Sequence, residues 1–178
     1  MVSLQSIEEA NRSAIEALRV SPAQEGFVAG VAESLVEATE DPGGRAIYWA
    51  VYADEIPVGF VMISDEVAGP GYIPQYLWRL LIDERYQRRG YGTAVLDLVA
   101  EYFRSRSGVE VMWTSCGEGE GGPLRFYERY GFEQTGDRVF DNEILLRLSL
   151  GRARGAGLPA RAAGASPVSA PSRRSAAG

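Results

Sequence analysis

One strand–turn–helix–strand unit in the middle of the chain restricts the possible folds more than any other sequence feature. Residues 75–82 form an apolar run, residues 87–92 (QRRGYG) contain two glycines, and residues 93–103 carry apolar side chains at helical spacing. A second apolar run follows at residues 109–114. Two strands joined by one helix are expected to lie parallel across a right-handed crossover. The sequence therefore predicts an α/β domain in which these two strands are neighbours.

The segments on either side of this unit predict further strands and helices of the same domain. Those before it are a strand at 2–7, a helix at 11–18, a helical stretch from 22 to about 40 with a break around Gly26 or Gly30, and hairpin strands at 46–52 and 58–64. Those after it are a helix at 123–130 and a closing antiparallel pair at 132–135 and 143–149. We therefore expect an α/β (α+β) domain over residues 1–150, with a mixed sheet of six or seven strands flanked by about four helices.

Residues 151–178 differ sharply in composition from the rest of the chain. They contain only Gly, Ala, Pro, Ser, Arg, Val and Leu, so we expect a disordered tail. A solvent-exposed extension is favoured over a basic segment that contacts RNA or a membrane. Residues 1–150 hold all 24 acidic residues and 13 of the 18 arginines. This acidic body argues against non-specific nucleic-acid binding and favours cationic ligands, although such a balance more often serves only solubility.

The chain contains no histidine and no lysine, and their absence excludes several kinds of catalytic site. A Ser/His/Asp triad, a His-ligated metal and a Schiff-base lysine all require one of them, so we expect no metal. Any acid or base must be Asp, Glu, Tyr, a terminus or water. The single cysteine, Cys116, cannot form an intramolecular disulfide. With no membrane-spanning run and with Glu8 and Glu9 where a signal peptide needs apolar residues, we expect a cytoplasmic protein without membrane contacts.

The QRRGYG turn predicts an anion-binding site at the start of a helix. The first N–H groups of a helix are unpaired and partly positive, and glycines let a phosphate approach the backbone closely. A P-loop needs a lysine, which the chain lacks. A dinucleotide fingerprint needs a small residue where Val95 stands. The remaining pattern is Q/R-x-x-G-x-G/A, which Gln87, Gly90 and Gly92 match.

Together with a second motif, this turn resembles the signature of the GNAT N-acetyltransferase superfamily. Residues 125–132 (RFYERYGF) look like that family's F-Y-x-x-x-G-F motif, and the predicted element order is similar over roughly residues 1–150. The stretches WRLLIDERYQRRGYG and FYERYGFEQTG are similar to the bacterial diamine and polyamine (spermidine/spermine-like) branch. The resemblance implies a GNAT-like acyl-CoA N-acyltransferase fold and transfer from acetyl-CoA to a small amine without a covalent enzyme intermediate. A polyamine or diamine is the first choice of acceptor.

The resemblance also implies which residues bind acetyl-CoA. The backbone of the strand before the turn would pair with the pantetheine arm, and one of its N–H groups would face the thioester oxygen. The amides of the turn and of the helix start would bind the pyrophosphate, with arginine side chains adding charge. The expected residues are Leu80, Leu81, Ile82, Gln87, Arg88, Arg89, Gly90, Tyr91, Gly92 and Thr93.

Tyr127 corresponds to the family tyrosine that protonates the departing thiolate. A phenol with a pKa of about 10 can do so because a thiol has a pKa of about 8.5. The simpler interpretation is a packed aromatic side chain, like its neighbours. The general base stays open, and the candidates are Asp83, Glu118, Glu120 and a chain of waters. Carboxylates expected to frame the acceptor pocket are Glu33, Glu37, Asp65 and Glu66.

Other activities on the same fold remain open at this stage. The acceptor could be an antibiotic amine, or a protein N-terminus or lysine. The chain carries Glu120 and Pro123 where many family members have Asn and Ala. This departure keeps a non-catalytic acyl-CoA-binding regulatory domain as a rival of another class. A homodimer is compatible with the sequence, which carries no mark of the oligomeric state.

Overall fold

A seven-stranded mixed sheet organises the computed structural model, which describes residues 1–67 and 69–151. The strands are β1 (Val2–Gln5), β2 (Ala46–Ala53), β3 (Ile56–Ser64), β4 (Tyr76–Ile82), β5 (Val111–Cys116), β6 (Glu133–Val139) and β7 (Glu143–Ser149). The helices are α1 (Glu9–Glu16), α2 (Val31–Glu40), α3 (Tyr91–Arg104) and α4 (Leu124–Tyr130), with short 3-10 helices at Pro22–Gln24, Pro42–Gly44 and Glu84–Tyr86. The predicted fold class and element order are confirmed. The predicted disordered tail lies outside the described residues, apart from Gly151.

The strand order is β1-β2-β3-β4-β5-β7-β6, and β4 and β5 are the parallel neighbours. This confirms that the two strands joined by α3 are parallel neighbours, as expected. Among the described residues the β4–β5 ladder consists of two pairs, Tyr76 with Trp113 and Leu77 with Thr114. The antiparallel β3–β4 ladder, in contrast, continues as far as Ile82. Beyond Leu77, β4 therefore remains paired with β3 on one side and separates from β5 on the other.

An extra residue in β4 bends the strand where this opening begins. Met62 of β3 lies opposite Arg79, and Ile63 lies opposite Leu77, so Trp78 has no counterpart in β3. A β-bulge of this kind bends the strand and increases its local twist. The bend coincides with the position at which β4 leaves β5.

The backbone polar groups of the last β4 residues alternate between β3 and the opening. The amide of Asp83 donates to the carbonyl of Val58 over 2.9 Å. Because the direction alternates along a strand, the backbone groups of Leu81 also point toward β3. Those of Leu80 and Ile82 then point toward the side from which β5 has parted. Of the three residues expected to contact the pantetheine arm, Leu81 therefore pairs within the sheet, whereas Leu80 and Ile82 face the opening.

Helices cover both faces of the sheet and hold the central strands in place. On one face α3 buries Val95, Leu96, Val99 and Phe103 against the sheet. On the other face, α1 and α2 pack against side chains of β3 and β4. Successive side chains along these strands point to opposite faces of the sheet, so each strand contributes to both layers. Within residues 1–67 and 69–151, no helix combines the length and the apolar composition needed to cross a bilayer.

The close approach of β3 to β4 beside the opening predicts a strong requirement for glycine at residue 59. A Cβ atom there would lie 2.4 Å from the carbonyl oxygen of Leu81 and 2.8 Å from a side-chain carbon of Ile82. Backbone atoms cannot yield without separating the strands. We expect Gly59→Ala to lower the free energy of unfolding by about 1–3 kcal/mol, measured by urea denaturation.

Gly26→Ala is the matched control for this substitution, because a Cβ at Gly26 would meet no described atom within 4 Å. We expect that variant to stay within about 0.5 kcal/mol of the parent. Equal stabilities of the two variants would contradict the assigned packing between β3 and β4.

Candidate active site

A groove of about 1410 Å³ lies where β4 and β5 part. Its walls include Leu80 and Ile82 from β4, Cys116 from the end of β5, and most of the QRRGYG turn. Side chains of α2 and of the β6–β7 hairpin line other parts of the same groove. Grooves of this size accept ligands larger than a typical metabolite. The opening in the sheet is thus the feature around which the candidate site is built.

The turn before α3 presents backbone N–H groups toward this groove. Arg88 and Gly90 both have left-handed backbone conformations, with φ of 60° and 83°. The helix begins at Tyr91, so the amides of Tyr91, Gly92 and Thr93 belong to its unpaired first turn. Left-handed residues next to a helix start form a concave row of amides that favours anions. The structure therefore places these five residues together along the groove.

Gln87 shapes the turn from within. Its side-chain Nε2 donates to the carbonyl of Ile82 and to Oε1 of Gln24, each over 2.8 Å. These two bonds use both hydrogens of the amide nitrogen. Gln87 therefore joins the turn to the end of β4 and to the 3-10 helix at Pro22–Gln24. Its nitrogen is committed to the protein rather than to a ligand.

The two arginines of the turn have different surroundings. Arg88 lines the groove, where its guanidinium adds positive charge beside the row of amides. Arg89 does not line the groove, and its Nη2 donates to the carbonyl of Arg85 over 3.1 Å. Its guanidinium carbon also lies 5.7 Å from the ring centre of Tyr86. Of the two side chains, Arg88 is the one placed to reach an anion in the groove.

Tyr127 lies at the buried end of the groove, on α4. Its ring contacts Phe126 and Phe132 with centroid distances of 5.3 and 5.4 Å, and its side chain is 6% exposed. Burial raises the pKa of Tyr127 well above its ordinary value, and a hydrogen bond with the Thr114 side chain opposes that shift only in part. The phenol therefore keeps its proton at neutral pH and is available as a donor.

Cys116 also lines the groove, but its surroundings make it a poor nucleophile. Burial, followed by the charge of Glu143, raises the pKa of the Cys116 thiol to about 11. The reactive form of a cysteine is the thiolate, which is scarce at neutral pH when the pKa is so high. The site therefore favours direct attack of an acceptor over an intermediate carried on this sulfur.

Asp83, one of the expected candidates for the base, is held inside the protein. Its carboxylate accepts hydrogen bonds from Nε of Arg85 over 2.7 Å and from the amide of Arg19 over 3.0 Å. Burial raises the pKa of Asp83, but these donors outweigh it and leave the pKa below its ordinary value. Asp83 does not line the groove, and it caps the 3-10 helix at Glu84–Tyr86. The structure therefore places the Asp83 carboxylate outside the groove, bound to Arg85 and to the amide of Arg19.

The carboxylates of the glycine-rich loop are also directed elsewhere. Glu118 pairs with Arg138 over 2.6 Å, and Glu120 is exposed. Neither side chain lines the groove. Asp65 and Glu66, expected near the acceptor, both pair with Arg106 beside a separate small cleft. The structure thus does not bring these four carboxylates to Tyr127.

Phe27 explains why this loop is rich in glycine. A Cβ atom on Gly119 or Gly122 would lie 3.0 Å from the Phe27 ring. A Cβ atom on Gly121 would lie 3.0 Å from the carbonyl oxygen of Ala23. The segment around Phe27 and the loop therefore pack closely together along the groove. The sequence did not predict this contact, because the two segments lie about 90 residues apart.

A set of carboxylates that lines the groove away from the turn forms its acidic side. They come from α2, from the residue after it, and from the β6–β7 hairpin. Its members are Glu33, Glu37, Glu40, Asp41, Asp141 and Glu143. Glu33 and Glu37 were expected near the acceptor, and the structure places both of them in the groove wall. Residues 1–67 and 69–151 contain no cluster of three or more His, Cys, Asp or Glu suited to hold a metal ion.

Glu37 and Asp41 of the acidic side are held by side chains of neighbouring segments. Glu37 accepts a hydrogen bond from Nη2 of the buried Arg79 over 2.5 Å. Asp41 accepts one from the hydroxyl of Tyr72 over 2.6 Å, and this contact raises the pKa of Tyr72. These bonds fix the wall of the groove, and its negative charge favours a cationic ligand.

Comparison with known proteins relates this site to a family. The model of the "Acetyltransferase (GNAT) family" matches residues 32–132. The spermine/spermidine N(1)-acetyltransferase of Bacillus subtilis strain 168 is 26% identical over 155 residues, covering 82% of this chain and 96% of that protein.

Solved structures show the same fold at lower identity. An aminoglycoside acetyltransferase in complex with coenzyme A has a TM-score of 0.65 and 15% identity, covering 84% of this chain and 95% of that one. A spermidine N-acetyltransferase from Vibrio cholerae in complex with CoA and spermine has a TM-score of 0.58 and 14% identity, covering 82% of this chain and 92% of that one.

The raised pKa of Cys116 predicts a slow reaction with alkylating reagents. The chain has one cysteine, so total labelling by iodoacetamide reports on this residue. Because a pKa of about 11 lies two units above the ordinary value of 9.0, we expect labelling at pH of about 8 to be about 100-fold slower than in the unfolded chain. The rate should rise steeply toward pH 11. Equal labelling rates in buffer and in urea would contradict the buried, protonated thiol.

Proposed function

The chain belongs to the GNAT family of acetyltransferases, and we propose that it transfers the acetyl group of acetyl-CoA to a primary amine of a diamine or polyamine. The observation that carries the proposal is one groove with an anion-binding turn along one part and carboxylates along another. The anion-binding turn suits the phosphates of acetyl-CoA, and the carboxylates suit a cationic acceptor. The similarity to a spermine/spermidine acetyltransferase supports the same acceptor class.

The residues of the opening fit acetyl-CoA. The outward N–H and C=O of Leu80 and the outward N–H of Ile82 can pair with the amides of the pantetheine arm, as a neighbouring strand would. The carbonyl of Ile82 already accepts from the Gln87 side chain. The row of amides from Arg88 to Thr93 can bind the pyrophosphate, with the Arg88 guanidinium adding charge. Bound acetyl-CoA supplies an activated acetyl thioester. Arg89 contributes positive potential from outside the groove, and Gln87 keeps the turn in shape.

The reaction needs a proton donor for the sulfur that leaves the acetyl group. We assign this role to Tyr127, because this residue lines the groove and its phenol keeps its proton at neutral pH. The amine attacks the thioester carbonyl directly, since the Cys116 thiol is not ionised at neutral pH. A backbone N–H of β4, that of Leu80 or Ile82, can donate to the carbonyl oxygen as negative charge develops there.

An assay of CoA release with a panel of amines tests the acceptor. Acetyl-CoA is held at a fixed concentration while putrescine, spermidine, spermine, an aminoglycoside and a lysine-containing peptide are compared. We expect kcat/KM for the polyamines to exceed that for the peptide by about 10-fold or more, because each added ammonium gains attraction from the acidic wall. Added salt should raise KM for spermidine more than KM for acetyl-CoA.

The outcomes of this panel separate the competing functions. A preference for the aminoglycoside or the peptide would replace the proposed acceptor while leaving the reaction class intact. If acetyl-CoA raises the melting temperature but no amine releases CoA, the chain is an acyl-CoA-binding regulatory domain and the enzyme proposal fails.

Replacement of Tyr127 by phenylalanine tests the proton donor. We expect Tyr127→Phe to lower kcat by about 100-fold, the usual scale for loss of a general acid, with little change in KM for acetyl-CoA. Since burial raises the pKa of Tyr127, the parent enzyme should show no loss of kcat from its ionisation below a pH of about 10.

Tyr130→Phe is the control, because Tyr130 lies on the same helix but bonds to Asp97 and does not line the groove. It should keep full activity. An active Tyr127→Phe enzyme would show that another group protonates the thiolate.

A further inference from the structure

We propose that Glu143 is the general base of the reaction, positioned by a chain of hydroxyl groups from Ser115 and Tyr76. The proposal rests on the proposed acetyl transfer to an amine, because a primary ammonium must lose a proton before its nitrogen can attack. Glu143 is the first residue of β7 and lines the same groove as Tyr127. Neither the sequence motifs nor the comparisons assign it a role.

The hydrogen bonds around Glu143 have a defined direction. The Ser115 hydroxyl donates to Oε2 of Glu143, since an ionised carboxylate can only accept. The Tyr76 hydroxyl lies 2.5 Å from the Ser115 oxygen. Because the Ser115 hydrogen is already used, the Tyr76 hydroxyl must be the donor in that contact. The order is therefore from Tyr76 to Ser115 to Glu143.

This chain of groups lies at the opening of the sheet. Tyr76, which is 4% exposed, forms one of the two pairs that join β4 to β5. Ser115 follows on β5, just beyond the last of those pairs. The half-buried Glu143 is brought beside it by the antiparallel pairing of β5 with β7, in which Cys116 faces Ile144. The carboxylate is thus fixed by three strands rather than by a loop.

Glu143 also lies near the proposed acid. Besides burial, the charges of Glu143 and the phenol of Tyr76 contribute to the raised pKa of Tyr127. After burial, the charge of Glu143 also contributes to the raised pKa of Cys116, which lines the same groove. One carboxylate and one protonated phenol therefore line the same groove, as a base and an acid acting on one reaction centre must.

The other carboxylates of the acidic side are less suited to the task. Glu37 is bound by the buried Arg79, and Asp41 accepts from Tyr72 and from the amide of Gly44. The remaining members of the acidic side are exposed, and they are Glu33, Glu40 and Asp141. Exposed carboxylates attract a cation but do not hold it in one place.

The protons of the reaction balance with this assignment. The acceptor enters as R–NH3⁺, and its first proton passes to the Glu143 carboxylate and then to solvent. The nitrogen lone pair forms the C–N bond, the C–S bond breaks, and the sulfur takes a proton from Tyr127. The nitrogen releases its second proton as the amide forms, and that proton restores the Tyr127 phenol. The products are R–NH–acetyl, CoA thiol and one proton in water.

Glu143→Gln tests the assignment with two kinds of acceptor. With a polyamine at neutral pH, we expect kcat at saturating amine to fall by about 100-fold. With a primary amine whose pKa lies below the assay pH, the acceptor is already unprotonated and the loss should shrink to less than about 5-fold. Glu143→Asp, which keeps the carboxylate, should recover part of the activity. Asp137→Asn, which removes an exposed charge from β6 of the same hairpin but outside the groove, should leave kcat within about 2-fold.

Ser115→Ala separates positioning from folding. It removes the donor to Glu143 but leaves the carboxylate, so kcat with the polyamine should fall by about 10-fold. With the weakly basic amine, the loss of kcat should again be smaller. Ser115→Thr, which retains a hydroxyl, should restore most of the activity. The acetyl-CoA-dependent rise in melting temperature should be unchanged in every variant, and it decides whether each one is folded.

Three results are distinguishable. A parent protein that acetylates no amine defeats the proposed function itself. An active parent with an unaffected Glu143→Gln variant, or one that loses the same factor with both kinds of amine, overturns the role of Glu143 as base. If Glu143→Gln does not fold, Ser115→Ala decides, and equal losses with both amines would overturn the proposal in the same way.

Discussion

The short pairing between β4 and β5 is the constraint on which the rest of the structure depends. Two residue pairs join the strands, and the sheet then opens while β4 stays attached to β3. Buried backbone N–H and C=O groups are costly to leave unpaired, so an opening of this kind needs a partner. The bulge at Trp78 and the two layers of helices keep the opening between β4 and β5 from closing. The proposed donor site, acid and base all lie along this opening.

Charges of both signs line the groove and come largely from different elements of the fold. The turn before α3 presents backbone amides and Arg88, while α2 and the β6–β7 hairpin present carboxylates. A polyanionic donor and a cationic acceptor can therefore occupy one cavity without competing for the same position. The buried pair of Arg79 and Glu37 belongs to the structure of the wall, because an unpaired charge at that depth would be strongly destabilising.

Much of the fold could be predicted because its signals are local. Periodicity gave the order of the elements, and the glycines of the turn indicated an anion site. Asp83 shows where local reasoning stops, since it follows a strand like many catalytic residues but is held by Arg85 and by the distant Arg19. Leu81 differs from its neighbours because of strand register. The contact of Glu143 with Ser115 depends on the pairing of β5 with β7, which no short motif encodes.

The opening also makes the proposed donor a part of the folding equilibrium. A ligand whose amides pair with Leu80 and Ile82 completes a sheet that the chain leaves unfinished, and it does so only in the folded state. By mass action, a donor present at about 100 times its dissociation constant adds about 2.7 kcal/mol to the free energy of unfolding. The fraction of folded enzyme would then rise with the concentration of acetyl-CoA, so that the acetyl donor also protects the enzyme from degradation.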